Sequence, residues 1–371
     1  MWRAIRSGKQ AGALHFAEGP VDVPFRTFLG LLTLACALVL CAWAPERADD
    51  RVVLVAGSSG TAPYDVFDHV AEIAGFYRAE HLTVDREYTA NPYTAAQLVA
   101  TGKGDICAAT IEPILAGYDK GLRLPMFLAR AARYTYAMAV PEESPIRTLA
   151  DFKGTEIGVP TLGNGAIQAA QSMLAGAGLK PADYSFVPIG QGPQALDALV
   201  GKRVAGVAFP FGAIVPFDIM GHPMRVFRHP TLEDISNAGY FATPQTIASR
   251  ADVLARFSRA IVEAAVFVRE NPDVSARYFI EGVGNKVTPE ALRTWILTLR
   301  LSQRDLLAAD PSSRRIGAIS PTDIGIFTAF LASSGQTKEL VPAADVMTNR
   351  FIPFANDFDR KAVIALARKA R

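Results

Sequence analysis

Cysteine is scarce in this 371-residue chain, with three in all. Cys36 and Cys41 lie inside an apolar segment near the start, so Cys107 alone belongs to the remainder and no disulfide can form within it. In the run Ile106-Cys107-Ala108-Ala109 this residue reads as a small buried apolar side chain. Histidine is sparse as well. His15, His69, His81, His222 and His229 are scattered, with no H-E-x-x-H and no Cys/His pairing, so no metal site is indicated. Net charge is also missing. The chain carries 38 basic and 36 acidic residues, of which four and two respectively fall in residues 1–44. The remaining 34 of each sign leave no electrostatic footprint for nucleic acid.

Catalytic constellations are missing too. Ser58 and Ser59 stand in G-S-S-G, which is not the G-x-S-x-G nucleophile elbow, and nothing nominates a base for either. The stretch "GVPTLGNGAIQAA", Gly158 to Ala170, has P-loop spacing at Gly158 and Gly163. Asn164-Gly165 then replaces the Lys-Ser/Thr that reaches phosphate and magnesium. Gly163-x-Gly165 also begins a dinucleotide fingerprint, but Gln168 stands at its third glycine. What survives is a strand, a tight glycine turn and a helix N-terminus with free N–H groups. Such a site can hold a carboxylate, a sulfonate or another oxygen-rich group; a plain βα turn is the alternative.

Long apolar runs are confined to the front of the chain. Thr27 to Ala44 carries no charge, follows Arg26, and ends in Ala42-Trp43-Ala44. A basic flank, an apolar stretch and a small-x-small end describe a secretory leader over residues 1–44, either cleaved or kept as a membrane anchor. Both readings export the rest.

From Arg51 onward, strands alternate with helices. Val52–Ala56, Leu82–Val84, Ile106–Ala109 and Pro125–Ala129 read as strands, with helices through Val66–Tyr77 and from Asn91-Pro92 to Gly102. The rhythm restarts at Asp151: strand Glu156–Val159, helix Ala166–Ala175, strand Tyr184–Ile189, helix Pro193–Val200, strand Val204–Phe209. Crossover helices of this kind imply parallel sheets, and Tyr134–Pro145 divides the two rounds, so two α/β lobes are expected. Beyond Ala242 the pattern turns helical: Asp252–Arg269 is strongly amphipathic, and Pro289–Leu299 and Pro321–Ser333 follow.

Five stretches resemble, in order, the type II class of periplasmic-type substrate-binding proteins. They are "IAGFYRAEHLTV" (Ile73–Val84), "QLVATGKGDICAA" (Gln97–Ala109), "TLADFKGTEIGVP" (Thr148–Pro160), the run Leu174–Phe209, and "FSRAIVEAAVFVRENPDVSA" (Phe257–Ala276). Within that class they are most similar to the nitrate/sulfonate/thiamine-precursor group of ABC-importer components. The resemblance implies two α/β lobes joined by a hinge, with lobe one at 50–137, lobe two at 138–242, and a mostly helical return to lobe one at 243–371. It places the crossings near Tyr136–Pro141 and Gly239–Thr243.

The function implied is non-catalytic: capture of a small organic ligand in an inter-lobe cleft and delivery to an ABC permease with its ATPase. The ligand would bear a carboxylate or sulfonate, or be aromatic and pyrimidine-like. A monomer in the periplasm is implied, touching the membrane through the permease or an uncleaved leader, with no cofactor, no catalytic residue and no nucleic acid. Alternatives are the receptor of a TRAP-type importer, a ligand-sensing receptor subunit, and a thiamine-pyrimidine-type enzyme on the same fold. That enzyme group carries a cysteine-rich iron motif, which one remaining cysteine does not match.

Open α/β sheets bind ligands beyond the carboxyl ends of their strands. The candidate ligand-binding residues are therefore Ser58, Ser59, Thr61, Tyr64, Thr110, Glu112, Thr161, Gly163, Asn164, Gly165, Phe209 and Phe211. Tyr64, Tyr134, Phe209 and Phe211 are the aromatics that can stack on a planar ligand. Phe209-Pro210-Phe211 stands where relatives often carry Glu-Pro-Trp. The cleft loops hold no Lys or Arg, although Arg130 and Arg133 are close in sequence.

Overall fold

Strands that are apolar on both sides must be covered on both sides. In a computed structural model of the chain, Val52, Leu54 and Val55 are accordingly buried in the middle of a sheet. The structure describes residues 48–58, 63–303, 315–333, 337–338 and 340–371. The expected leader 1–44 and the candidate residues Ser59 and Thr61 lie outside the described residues. Among the described residues no helix is long and apolar enough to cross a membrane.

Among the described residues, ten strands form two sheets of five. They are β1 (Asp50–Ala56), β2 (Leu82–Tyr88), β3 (Ile106–Thr110), β4 (Met126–Ala129), β5 (Tyr136–Pro141), β6 (Thr155–Val159), β7 (Tyr184–Pro188), β8 (Gly206–Pro210), β9 (Met224–Arg228) and β10 (Ala238–Phe241). Sheet one runs β2-β1-β3-β10-β4 and sheet two runs β7-β6-β8-β5-β9. In each, three parallel strands are followed by one antiparallel strand that the chain inserts after crossing from the other sheet. The two sheets thus share one topology and exchange one strand each.

The period-two alternation of the strands assigns their faces. Leu54, Ala56, Ile106 and Ala108 join the core beneath the helix Ala251–Glu270, whereas Val55, Cys107 and Ala109 face the helix Pro92–Ala100. Cap-and-proline pairs start four helices: Asn91-Pro92, Thr243-Pro244, Asn271-Pro272 and Thr288-Pro289. In each the first side chain accepts an N–H of the first turn, and the proline sits where no N–H is needed.

The crossings fall earlier than the sequence reading places them. Tyr136–Pro141 is a strand wholly within sheet two, and Ala238–Phe241 a strand wholly within sheet one, so the links are residues 130–135 and 229–237. The boundary at 137/138 consequently cuts β5, and the one at 242/243 assigns all of β10, a strand of sheet one, to lobe two. Strand β9 is absent from the sequence reading because it is a half-buried edge strand with arginine at two of five positions.

The C-terminal helices return to lobe one as expected. Ala251–Glu270 and Pro272–Gly282 pack on the helix Val66–Ile73, and Arg360–Lys369 packs on Ala251–Glu270. The helix Pro289–Ser302 goes further and also touches Phe211–Ile219, which follows β8 of sheet two. Helix Pro321–Ser333 sets Phe327 beside Tyr134 at 5.9 Å and Phe330 beside His229 at 4.7 Å, bracing both crossings.

Candidate functional site

The carboxyl ends of the parallel strands in the two sheets point into one cavity of about 290 Å³. Lobe one contributes Ser58 after β1, Tyr64, Thr110 at the end of β3 and Arg130 after β4. Lobe two contributes Thr161 and Asn164 after β6, Gln191 and Gln194 after β7, and Pro210 at the end of β8. Tyr136, the first residue of β5, closes it at the crossing and its hydroxyl lies 3.1 Å from Thr110 Oγ1. Ala90 and Pro92 follow β2, so every parallel strand delivers its following turn to the same space, as the switch-point geometry of open sheets requires.

Arg130 organises the lobe-one wall. Its side chain is almost wholly buried; Nη1 lies 3.2 Å from Asp65 Oδ1 and 3.8 Å from Asp68 Oδ2. Its guanidinium also stacks over the Tyr64 ring at 4.6 Å. Burial opposes the charge, but Asp65, Tyr240, Asp68 and Tyr64 together outweigh it and hold Arg130 protonated above its usual range. Among the described residues, the Nε–H of Arg130 is buried without a hydrogen-bond partner.

The two acids are themselves anchored. Ser58 Oγ donates to Asp65 Oδ2 at 2.9 Å, and Tyr240 and Tyr77 donate to Asp68 Oδ1 at 3.0 and 3.2 Å. Burial first, opposed by Arg130, raises the Asp68 carboxyl to about 6.

On the opposite wall, Asn164 is buried and its Oδ1 accepts the Ala166 N–H at 2.9 Å, capping the helix Ala166–Gly176. Thr161 lines the cavity, and its buried hydroxyl has no hydrogen-bond partner among the described residues. The glycines of this turn serve close approach. A Cβ on Gly165 would lie 2.7 Å from the Tyr136 hydroxyl, and one on Gly163 would lie 2.7 Å from Asn91 Nδ2 of lobe one. A Cβ on Gly212 would lie 2.4 Å from Pro63 Cγ, so the lobes meet at two glycines.

Of the candidates named from sequence, Ser58, Tyr64, Thr110, Thr161 and Asn164 line this cavity. Glu112 does not: it is 1% exposed, and Asn237 Nδ2 donates to its Oε1 at 2.6 Å. Its place one residue past Ile111 turns it into the helix Glu112–Ala116, away from the strand end. Burial, partly offset by hydrogen bonds from Asn237 and others, raises its carboxyl to about 7. Phe209 points into the core of lobe two against Phe217, because β8 alternates and Pro210 takes the cavity side. Phe211 stacks beneath Arg228 at 3.6 Å and borders a separate small void with Pro63 and Tyr134. Gly163 and Gly165 support the wall without lining it.

Sequence reasoning left Arg130 outside the cleft, although close in sequence, and missed Tyr136, Gln191 and Gln194 as lining residues. Arg130 was legible as the one charge ending the apolar run Met126–Ala129; Gln191 lies in the turn after β7 by the same rule as the other loops, and Gln194 in the first turn of the helix Pro193–Val200 that follows.

A family model described as NMT1/THI5 like matches residues 63–275, more than half of the chain. The chain belongs to the NMT1/THI5-like family. Among curated relatives this family member is 21% identical over 307 residues to the riboflavin-binding protein RibY of Chloroflexus aurantiacus, covering 79% of this chain and 82% of RibY. Among solved structures, the periplasmic aliphatic sulphonate binding protein SsuA of Escherichia coli superposes with a TM-score of 0.61 at 15% identity, over 82% of this chain and 99% of SsuA. The desulfurization enzyme DSZB superposes with a TM-score of 0.53 at 15% identity, over 82% of this chain and 99% of DSZB. The NMT1/THI5-like chain therefore has the fold of periplasmic solute-binding proteins, a fold that enzymes also use.

Proposed function

We propose that this protein is an exported solute receptor that captures one small ring-bearing ligand between its lobes and delivers it to an ABC importer. The observation that carries the reading is the cavity itself: it lies between two sheets joined by two crossings, and both sheets supply its walls. A ligand held there bridges the lobes, so binding and lobe closure are linked. The flat apolar surfaces of Tyr64, Tyr136, Pro92 and Pro160 suit a ring, and Ser58, Thr110, Thr161 and Asn164 suit its polar edge. RibY supports a planar ligand and SsuA an anionic one, so both kinds belong in the test. Catalysis finds no support from the one cysteine of the region, because burial pushes the Cys107 thiol up to about 12.

A thermal-shift screen of riboflavin, pyrimidines, aromatic carboxylates, alkanesulfonates and nitrate is expected to yield at least one stabilising ligand. Small-angle scattering should then show a smaller radius of gyration on binding. No stabilisation by any class, or turnover of a bound compound, would count against a receptor.

A further inference from the structure

The charge arrangement in the cleft narrows the ligand class of that same site, an inference that rests on the receptor reading. Among the described residues lining the cavity, Arg130 is the only charged one, and residues 59–62 add no ionisable side chain. Arg130 is already matched: Asp65 lies at 3.2 Å and Asp68 at 3.8 Å. Nearby charges do not restore a surplus. Arg86 is engaged with the Asp68 carbonyl at 3.2 Å and with Glu72 at 3.9 Å, and Glu112 adds a further acid behind Thr110.

A sulfonate or carboxylate entering this space would place a third acidic group around one guanidinium, in a region of low dielectric where like charges repel strongly. A neutral ligand meets no such cost. Arg130 itself lines the cavity, and its Nε–H is buried with no acceptor among the described residues, an arrangement native structures seldom leave. The hydrogen-bonding groups on the other wall, Thr161, Gln191 and Gln194, are all uncharged.

We propose that Asp65 and Asp68 act as charge selectors: they hold Arg130 so that it reads a neutral carbonyl or ring-nitrogen acceptor and the cleft rejects net anions. The ligand class that follows is an uncharged, planar heterocycle bearing amide-like groups.

The test uses purified full-length protein and probe pairs matched in shape but not in charge: nicotinamide with nicotinate, uracil with orotate, and benzenesulfonamide with benzenesulfonate. Affinities are measured by titration calorimetry at pH 8, where every acidic member is ionised. The neutral member of each pair that binds is expected to be at least tenfold tighter. Asp65→Asn and Asp68→Asn, alone and together, should lower that ratio by at least tenfold. Asn retains an Oδ1 for the tyrosine donors, and the single Asp68→Asn variant serves if the double variant fails to fold. Tighter binding of the anionic members by the wild type would overturn the charge rule and leave the receptor reading standing. A neutral preference untouched by the Asn variants would remove Asp65 and Asp68 from the role of selectors. Absence of binding by every pair, and by the broader screen above, would instead refute the receptor reading, and the charge rule would fall with it.

Discussion

Glu112→Gln is expected to stabilise the protein at pH 8 and to change little at pH 4.5. The carboxyl is fully buried, and burial raises it from an ordinary value near 4.5 to about 7. The folded state therefore binds this proton more tightly than the unfolded chain. Stability from the protonated form is fully present below pH 4.5, is lost as pH rises, and is gone above about 7. At roughly 1.4 kcal/mol per pH unit, the loss across that window is about 3 kcal/mol. Gln carries no charge to bury and keeps an oxygen for the Asn237 Nδ2–H, which Glu112 accepts at 2.6 Å. Urea unfolding followed by circular dichroism at pH 4.5, 6, 7 and 8 measures the difference between wild type and variant. Asp68 and Glu263, raised to about 6 and about 7, titrate in the same range in both proteins and cancel in that difference. Wild-type and variant stabilities that stay parallel within about 0.5 kcal/mol across this range would refute the reasoning, because a carboxyl with an unshifted titration contributes no such slope.

Asn237→Ala should destabilise by about 3 kcal/mol in the same assay, since it strands Glu112 and the buried Thr135 N–H, which Asn237 Oδ1 accepts at 2.9 Å. Phe257→Ala should cost about 3–5 kcal/mol, because that fully buried ring packs against Tyr77, Phe127 and Tyr240; a midpoint near wild type would contradict the packing. Gly212→Val should fold normally but bind any ligand at least tenfold more weakly, its side chain meeting the rigid Pro63 ring; unchanged scattering on ligand addition is the supporting readout. Cys107 should resist aromatic disulfide reagents in the native state and react on unfolding, because it is buried in β3; rapid native labelling would contradict this.

The order of elements was legible in the sequence because buried parallel strands write themselves as short apolar runs between amphipathic helices. VVLVA became β1, and Pro193–Val200 and Pro321–Ser333 appear with the expected ends. Legibility failed at the antiparallel strands. β10 has four residues including a glycine, and β5, whose run YTYAMAV is strand-like in sequence, reads as a crossing and not as a strand within a sheet. Site residues were legible where a loop directly follows a parallel strand, as with Ser58, Thr110 and Thr161. They were not legible one step further along: Glu112 begins a helix and turns inward, and Phe209 is one position out of phase with the cavity.

By itself, then, the sequence determined that strands and helices alternate in two rounds, and that the turns after the strands gather at one place. Period and turn chemistry are local properties, and local properties survive without the rest of the molecule. Only the tertiary structure decided that β10 slides between β3 and β4 while β5 joins the other sheet, since pairing partners so far apart in the chain leave no local trace. It likewise decided that the one arginine among the described cleft residues is already held by two acids. Charge is a property of residues, but the field a ligand meets is a property of their distances.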